Sequence, residues 1–511
     1  MNAKTMVDVL KASCSRYIQL HWLVNRWAAN RNEDGTLKSV TFGGVARLRT
    51  SSQSQKATWR YCDDPELGIR TIRLSSNSAV SQSNPSRVHF ERVMSRLPKD
   101  GIDESTRRLV VKAVYDTVVG LKGAEGKADK KLIDAQARMT KAEEKVVEAE
   151  KEYTAAPDDK AKKVLEKKIV KLKEAVERAG VEVHNAGGDV ELDDDQTQAV
   201  QDKSAKGTDQ VMILSEHETD LLVELTVASL EDLAKGEEKS HYKVVQDRVR
   251  RWKSDHGEEF RSMQLGCGIQ SAVFGRPVYG GGLFQQSPAA VGVAHEISVH
   301  EQKITYDTFT AIDVFKKDEM GAGMLGELPL ASGLFYGYAF IDTHVLIENI
   351  ERGLVDSAVA AEVVRRLILM SARVSSNVKH GSLASKNKSL VTLIEVGDDQ
   401  PATFAEAFIQ PVTVDRDSPD MLVNAFDRMA RFIRAIDSAH PTTNKRAMAI
   451  VDISQTTALP EAVPTILGDK ALAEWTLQVA NHQEPAVTAA ASAHTPAKNG
   501  HKTAAAPPPG E

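Results

Sequence analysis

The stretch Thr41–Arg60, which reads TFGGVARLRTSSQSQKATWR, carries four cationic side chains and no acidic one. The period of two along a strand places Val45, Arg47 and Arg49 on one face of a short strand. The serines that follow are suited to cap a helix, because a hydroxyl can accept a hydrogen bond from an N–H of the first turn. The stretch therefore predicts a basic strand that leads directly into a helix.

The predicted helix presents a polar and basic stripe. Gln53, Lys56 and Arg60 share a face of it, because residues three and four apart are neighbours on a helix surface. Ser51 or Ser52 would lie at its start, where a partial positive charge and free amide groups favour phosphate. The pattern predicts a cradle for a polyanion, and a solvated basic helix is the alternative.

Bulk composition limits the class of protein. At 511 residues, with 41% apolar residues, the chain has room for two or three domains. No apolar run approaches the length of a membrane span and no leader-like segment is evident, so we expect a cytoplasmic protein without a membrane partner. The three cysteines, Cys14, Cys62 and Cys267, lack the spacing of a metal site or a disulfide, which fits a reducing compartment.

The net charge of −6 argues against nucleic-acid binding only if charge is spread evenly. It is not, because acidic residues are concentrated in stretches such as Glu143–Glu152 and Asp189–Asp195, while Thr41–Arg60 and Val374–Leu390 contain none. A local basic face can therefore bind RNA on an acidic protein.

Periodicity divides the chain into a β-rich and a helical part. Strands are predicted at Tyr17–Val24, Leu390–Val396 and Ala447–Ile453, and a long hairpin from the β-rich runs Ile297–Thr310 and Gly333–Leu346. Helices are predicted at Val88–Leu121, Ser215–Leu233, Tyr242–Trp252, Asp356–Val374 and from Ser418 to about Ala439. Heptad stripes on both sides of Pro157 predict an antiparallel αα-hairpin, and the composition after Glu484 predicts disorder.

Three patterns resemble sites for other chemistry, but the sequence around each of them argues against such a site. Gly321–Gly326, GAGMLG, matches a dinucleotide motif by letter, but neither an apolar strand precedes it nor a helix follows it. The histidines His295 and His300 are five residues apart, which does not place both on one zinc from a helix. Glu33 and Asp34 lie in a polar loop, where carboxylates are usually solvated. No cofactor, metal or catalytic residue is therefore predicted.

The order of several motifs resembles the backbone subunit of the type I-E CRISPR Cascade complex, the CasC family. The motifs that carry this resemblance are LHWLV at Leu20–Val24, ANRNED at Ala29–Asp34, FGGVARLRTSSQSQK at Phe42–Lys56, Phe274–Arg276, AHEISVHEQKITYDTFTAID at Ala294–Asp313, GAGMLG at Gly321–Gly326 and SGLFYGYAFID at Ser332–Asp342. The middle of the chain and its extreme C-terminus fall outside the resemblance.

The resemblance implies an α+β fold: a ferredoxin-like (RNA-recognition-motif) palm with a large helical finger domain and a long β-hairpin thumb. The expected divisions are palm at 1–82, fingers at 83–265 with the αα-hairpin at about 126–186, palm return segment at 266–299, thumb at 300–332, palm at 333–484 and disordered tail at 485–511. The enlarged fingers have no counterpart role in the family, and we expect them to touch target DNA or a neighbouring subunit.

The resemblance also implies a function. Copies of a non-catalytic subunit polymerise along a CRISPR RNA, and each thumb kinks the guide, which is presented for pairing with target DNA in antiviral defence. The implied partners are the CRISPR RNA, target DNA, copies of itself, other Cascade subunits and a helicase-nuclease that the complex recruits. Two alternatives stay open: a type III-like backbone subunit that cleaves target RNA with Asp34, and a helical scaffold protein without nucleic acid.

Site residues follow from the matched motifs. RNA contacts are expected from Arg47, Arg49, Ser51, Ser52, Gln53, Lys56, Arg60, Arg276, Lys303, Lys316, Lys317, Leu325, Lys379, His380, Lys386 and Lys388. A wedge against displaced nucleotides is expected from Phe274, Pro277 or Val278, although the family usually has methionine where Pro277 stands. For Phe274 a plain core position is the alternative.

Overall fold

The computed structural model describes residues 11–27, 29–32, 34–73, 82–86, 89–98, 104–119, 145–149, 151, 153, 165, 168–173, 175–176, 178, 212–234, 241–262, 268–276, 286–311, 324–351, 357–374, 384, 386–414, 420–451 and 468–485. The chain forms two compact units. The first comprises Met1–Gln82, Ser262–Arg276 and Ser287–Glu511, and the second comprises Ser83–Arg261 and Pro277–Gln286.

The chain is a mixed α/β protein with an antiparallel sheet. The strands are β1 (Tyr17–Arg26), β2 (Ser39–Phe42), β3 (Val45–Thr50), β4 (Ser83–Ser86), β5 (Met212–Ser215), β6 (Val291–Val293), β7 (Glu296–Ser298), β8 (Thr305–Ala311), β9 (Met324–Leu330), β10 (Gly333–Asp342), β11 (Ser389–Gly397) and β12 (Lys445–Ile450). The helices are α1 (Ser52–Arg60), α2 (His89–Ser95), α3 (Glu104–Val119), α4 (Glu216–Ala234), α5 (His241–Ser262), α6 (Ile269–Phe274), α7 (Thr343–Glu351), α8 (Ser357–Arg373), α9 (Met421–Ala439) and α10 (Asp469–Ala480).

The first unit is built on one sheet with the strand order β12-β11-β1-β10-β7-β3-β2, and β6 also pairs with β10. The strand β1 lies between β10 and β11 and is antiparallel to both. The predicted strand Tyr17–Val24 is confirmed as β1, and its apolar residues alternate, since Ile18, Leu20 and Trp22 pack in one apolar cluster with helix α8. Leu23, on the opposite face, packs in another cluster with Phe404.

Both faces of β1 are therefore covered, which single-face alternation did not predict. The polar residues on the second face, Gln19 and His21, are buried but hydrogen-bonded, as buried polar groups must be. The central strand consequently holds polar side chains inside the core, where their protonation and orientation depend on their neighbours.

A glycine pair sets the tight turn between β2 and β3. Gly43 and Gly44 both have positive φ, +63° and +82°, a region that suits glycine. A Cβ at Gly43 would also lie 1.6 Å from the carbonyl oxygen of Ile409, so the turn requires glycine for space as well as conformation. The FGG motif thus fixes the hairpin that aims β3 toward α1.

In the region predicted as a long hairpin, β8 and β9 pair antiparallel from Thr305 opposite Leu330 to Ala311 opposite Met324. The predicted hairpin strands were wrong in part. The run Ile297–Thr310 is divided, because β7 belongs to the main sheet and β8 begins at Thr305. The run Gly333–Leu346 forms β10 of the main sheet and the start of α7, so the partner of β8 is β9, which lies outside both runs. Residues 312–323, at the tip of the predicted hairpin, lie outside the described residues.

The second unit contains β4 paired with β5 and the helices α2 to α5. Its core joins Val110 and Val114 of α3 to Leu222 and Leu225 of α4 and Val245 of α5. Most of the predicted αα-hairpin lies outside the described residues, as does the predicted disordered tail beyond residue 485.

Several predicted element bounds need correction. The predicted helix Val88–Leu121 is two helices, α2 and α3, and α5 runs ten residues past the predicted end at Trp252. Helix α9 begins at Met421, because the Asp420 carboxylate caps it by accepting from the N–H groups of Leu422 and Val423. In the described part of the chain, no helix is long and apolar enough to cross a membrane.

Candidate nucleic-acid interface

Strand register brings His295 to the start of α1. Arg49 pairs with Ile297 and Thr50 with Glu296 in the antiparallel ladder between β3 and β7. Continuing that register by one step sets His295 opposite Ser51, immediately before the helix. The contact is close, since the backbone N–H of Ser52 donates to His295 Nδ1 at 2.9 Å.

This histidine performs the capping role that was predicted for a serine. Ser51 is the N-cap residue of α1, in extended backbone, but its side chain makes no capping hydrogen bond. Its hydroxyl instead lies 2.6 Å from Gln53 Oε1 and donates to it. The expected serine cap was wrong, because a residue from β7, distant in sequence, supplies the acceptor.

Four cations lie around α1: three of them act on His295 at its start, and Arg60, beside Lys56, is at its C-terminal end. We call them the cationic cluster: Lys38, Arg49, Lys56 and Arg60. Arg49 reaches His295, with 3.3 Å between its terminal nitrogen and Nε2. Lys56 and Arg60 are half-buried on α1, and burial lowers the pKa of each, with Arg60 further lowering that of Lys56.

Among the described residues, no carboxylate forms an ion pair with any member of the cationic cluster. Other basic side chains of the first unit are paired: Arg26 lies 2.5 Å from Glu296, and Arg373 contacts Asp469. The cluster is therefore a local excess of positive charge on an acidic protein. Cations held close together without acids attract a polyanion, and nearby positive charge also favours its approach.

Arg47 does not belong to the cluster, although it shares a strand face with Arg49. Its side chain is buried, and its guanidinium donates to the carbonyl oxygens of Ser298 at 3.1 Å and Phe408 at 2.9 Å. The segment around Phe408 covers this part of β3. The structure thus gives Arg47 a structural role in place of the expected RNA contact.

Phe274 and Arg276 are also interior. Phe274 lies in the same apolar cluster as Trp22, which is the plain core position considered for it, and Arg60 lies over its ring at 5.3 Å. Arg276 is buried, and its backbone bridges to Ser287. The wedge candidates Pro277 and Val278 lie outside the described residues.

Those of the remaining expected contacts that the structure describes lie on or beside elements other than β3 and α1. Leu325 is 72% exposed on β9, opposite Thr310, and Lys303 is exposed just before β8. Lys386 and Lys388 precede β11, which β1, β10 and β7 separate from β3 in the sheet. The other expected contacts, Lys316, Lys317, Lys379 and His380, lie outside the described residues.

Asp34 lies in an exposed turn. Its carboxylate accepts from the backbone N–H of Thr36 at 2.9 Å and from the Thr36 hydroxyl at 2.6 Å, and these bonds lower the pKa of the carboxyl group. Within the described residues, no group of three or more His, Cys, Asp or Glu side chains could hold a metal ion. This geometry is that of a turn-forming aspartate.

Sequence reasoning missed His295 as a site residue, because it was considered only as a zinc ligand. Its neighbour Glu296 is directed inward, where it accepts from Trp22 Nε1 at 2.9 Å and from Arg26. His300 contacts the carbonyl oxygen of Glu301 and the N–H of Leu334. Only the pairing of β3 with β7 places His295 in the site, and no local pattern reveals that register.

Comparison with known proteins gives three results. A family model described as CT1975-like protein matches residues 18–188 and 126–476. A solved chain titled "CRISPR RNA-guided surveillance complex, pre-nicking" is similar with a TM-score of 0.60 at 19% identity, and another titled "CRISPR RNA-guided surveillance complex" with 0.54 at 17%. Each similarity covers 91% of this chain and 100% of the other and establishes similarity of fold. No curated protein sequence matches significantly.

Proposed function

The chain belongs to the CT1975-like protein family, and we propose that it is a non-catalytic RNA-binding subunit of a CRISPR RNA-guided complex. Two independent lines support this role. The ordered motifs from Leu20 to Asp342 resemble a Cascade backbone subunit, and similar solved chains carry titles that name CRISPR RNA-guided surveillance complexes. The observation that carries the proposal is the cationic cluster, with its cations on β3 and α1 unpaired by any described carboxylate.

The chemistry of the cluster suits a guide whose sequence varies. Binding any sequence requires contacts to phosphate and sugar, whereas base-edge contacts would select one sequence. Lysine and arginine side chains supply the phosphate contacts, and Gln53 is exposed beside them as a hydrogen-bonding group. A strand and a helix fix these groups relative to one another, which lowers the entropic cost of binding.

The resemblance to the Cascade backbone subunit also suggests the type of complex, the domains and the mode of assembly. The subunit would be a type I-E backbone subunit with a ferredoxin-like palm, helical fingers and a thumb, and would act in the cytoplasm. Its copies would assemble along one CRISPR RNA with other Cascade subunits, and the β8–β9 hairpin would kink the guide. The guide would then pair with target DNA, and a recruited helicase-nuclease would cut it.

Guide binding is tested with the double variant Lys56→Ala/Arg60→Ala over a salt series. Each lost phosphate contact should flatten the slope of log affinity against log salt by about 0.7 for a single strand. The matched control is Arg431→Ala/Lys445→Ala, which removes the same charge from helix α9 and from β12, at the opposite edge of the sheet. A phosphate site on α1 would be contradicted if the salt slope changed by the same amount in both double variants. It would also be contradicted if the slope changed in neither.

The absence of catalysis is tested separately. The protein assembled on a guide should leave complementary RNA intact in the presence of magnesium, because the Asp34 carboxylate is engaged by Thr36 in a turn. Periodic cuts that disappear in Asp34→Ala would overturn the non-catalytic assignment and favour the type III-like alternative.

A further inference from the structure

Each of the two ring nitrogens of His295 faces a hydrogen-bond donor. Nδ1 faces the backbone N–H of Ser52 at 2.9 Å, and Nε2 faces a terminal guanidinium nitrogen of Arg49 at 3.3 Å. Both of those groups can only donate, because an amide N–H has no lone pair to offer and arginine has no acceptor. A neutral imidazole has one acceptor nitrogen, so it can satisfy one of them.

The backbone contact decides which nitrogen accepts. The contact with Ser52 is shorter, and it satisfies one of the orphan amides at the start of α1. Nδ1 is therefore the acceptor, and the ring proton lies on Nε2. The Nε2–H and the Arg49 guanidinium are then two neighbouring donors without an acceptor, which calls for an acceptor atom beside them within hydrogen-bond reach of both.

We propose that this acceptor is a phosphate oxygen of the bound RNA, held jointly by His295 Nε2–H and the guanidinium of Arg49. The inference rests on the proposed function and assigns one more residue to it. His295 contributes a neutral, directional hydrogen bond, whereas the cationic cluster contributes charge.

The surroundings of His295 favour an anion. Partial burial lowers the pKa of its imidazole most, and the charged groups that add to this, Arg49, Lys38 and Lys56, are all cations. The nearest carboxylate in sequence, that of Glu296, is turned into the core toward Trp22 and Arg26. An imidazole that stays neutral near neutral pH keeps its Nδ1 lone pair for Ser52, which preserves the orientation of Nε2–H.

The first experiment measures the affinity of the full chain for a fluorescent oligouridylate. His295→Ala should weaken binding about tenfold, the effect of one charge-assisted hydrogen bond, and leave the salt slope unchanged because no cation is lost. His295→Gln can accept from Ser52 and donate to phosphate, so it should retain most of the affinity. His440→Ala, which removes an exposed histidine at the end of α9, is the matched control and should bind as wild type.

The second experiment uses the wild-type protein and so does not depend on a variant folding. Histidine ring resonances are titrated with pH in the absence and in the presence of the oligouridylate. A phosphate beside Nε2 stabilises the protonated ring, so the pKa of His295 should rise when RNA is bound.

The possible results separate the two proposals. If Lys56→Ala/Arg60→Ala flattens the salt slope while folded His295→Ala binds as tightly as wild type, the role of His295 is overturned and the proposed function stands. An unchanged His295 pKa in saturating RNA would overturn it in the same way. If wild type does not bind RNA at all, the proposed function itself has failed.

Discussion

Two histidines of the same unit show how differently the fold uses one residue type. His21, on β1, is buried, and its ring nitrogens lie 2.9 Å from the Tyr336 hydroxyl and 3.3 Å from Glu395. His295, before β7, is exposed and faces Ser52 N–H and Arg49. Around His21 every donor faces an acceptor. Around His295 both neighbouring groups are donors, and one acceptor is missing.

The donor and acceptor roles around His21 are consistent throughout. An ionised Glu395 can only accept, so His21 carries its proton on Nε2 and accepts at Nδ1 from the Tyr336 hydroxyl. That hydroxyl oxygen accepts in turn from the N–H of Phe404 at 2.8 Å. Arg446 joins Glu395 to Asp437, with 2.8 Å between its Nη2 and Asp437 Oδ1.

The comparison separates charge that stabilises the fold from charge that is available to a ligand. We call His21, Tyr336, Glu395, Arg446 and Asp437 the buried network. Each of its charged groups has a partner within the chain, so removing one should cost stability and leave RNA binding per folded molecule unchanged. The cationic cluster and His295 should behave in the opposite way.

Glu395→Ala tests the buried network most strongly. Burial alone would raise the pKa of this carboxyl group, but His21 and Arg446 outweigh burial and lower it, so the group is ionised. Its loss leaves Arg446 with one carboxylate partner and should lower the free energy of unfolding by about 3–5 kcal/mol, measured by urea titration. Exposed Glu474→Ala on α10 is the control and should change it by less than about 0.5 kcal/mol. A Glu395→Ala protein as stable as the control would mean that the network is not a source of stability.

The sequence predicted half of this contrast. Hydrophobic alternation identified β1, and the spacing of Gln53, Lys56 and Arg60 identified the basic face of α1. Both are local patterns, with periods of two and 3.6 residues. They carry no information about which distant segment covers a face, so the burial of the second face of β1 and of Arg47 could not be predicted.

The composition of the site could not be fully predicted either, because it depends on strand register. Arg47 and Arg49 look equivalent in sequence, but residues 404–409 cover one of them and His295 meets the other. The pairing of β3 with β7 joins segments about 250 residues apart, which a period read along one strand cannot detect. Three cations of the cluster, Arg49, Lys56 and Arg60, were expected from the sequence, but Lys38 and His295 were not.

Arg47→Met tests whether Arg47 belongs with the structural charges. Methionine fills similar space but leaves the buried carbonyl oxygens of Ser298 and Phe408 without their donor, so we expect a loss of about 1–3 kcal/mol in the free energy of unfolding. The salt slope of RNA binding should stay at the wild-type value. Arg49→Met on the same strand is the matched control, and it should flatten the slope with little loss of stability. If Arg47→Met flattens the salt slope and Arg49→Met instead lowers the free energy of unfolding, Arg47 is the RNA contact.

The pH dependence of stability sharpens the contrast further. Burial lowers the pKa of His21 below the usual 6.5, although Glu395 opposes this, so the unfolded chain binds a proton there more readily than the folded one. The free energy of unfolding should therefore fall as the pH drops below about 6.5, by at most about 1.4 kcal/mol per pH unit from this group. Thermal melts of wild type and His21→Gln across that range measure the effect. If the two proteins have parallel pH dependence, His21 is not the titrating group.

The smallest expected effect concerns the point where core and cluster meet. Phe274 is a core residue, but the Arg60 guanidinium lies 5.3 Å from its ring centroid, so the core helps to hold one member of the cluster in place. A cation–π contact at a partly exposed site is worth about 0.5–1 kcal/mol. Phe274→Leu, which keeps an apolar side chain, should therefore weaken RNA binding about two- to fivefold through lost positioning of Arg60. A double-mutant cycle of dissociation constants with Arg60→Ala checks this, because the effect of Phe274→Leu should vanish when Arg60 is absent. An effect that persists in the Arg60→Ala background would place Phe274 itself, rather than Arg60 held by it, in contact with the nucleic acid.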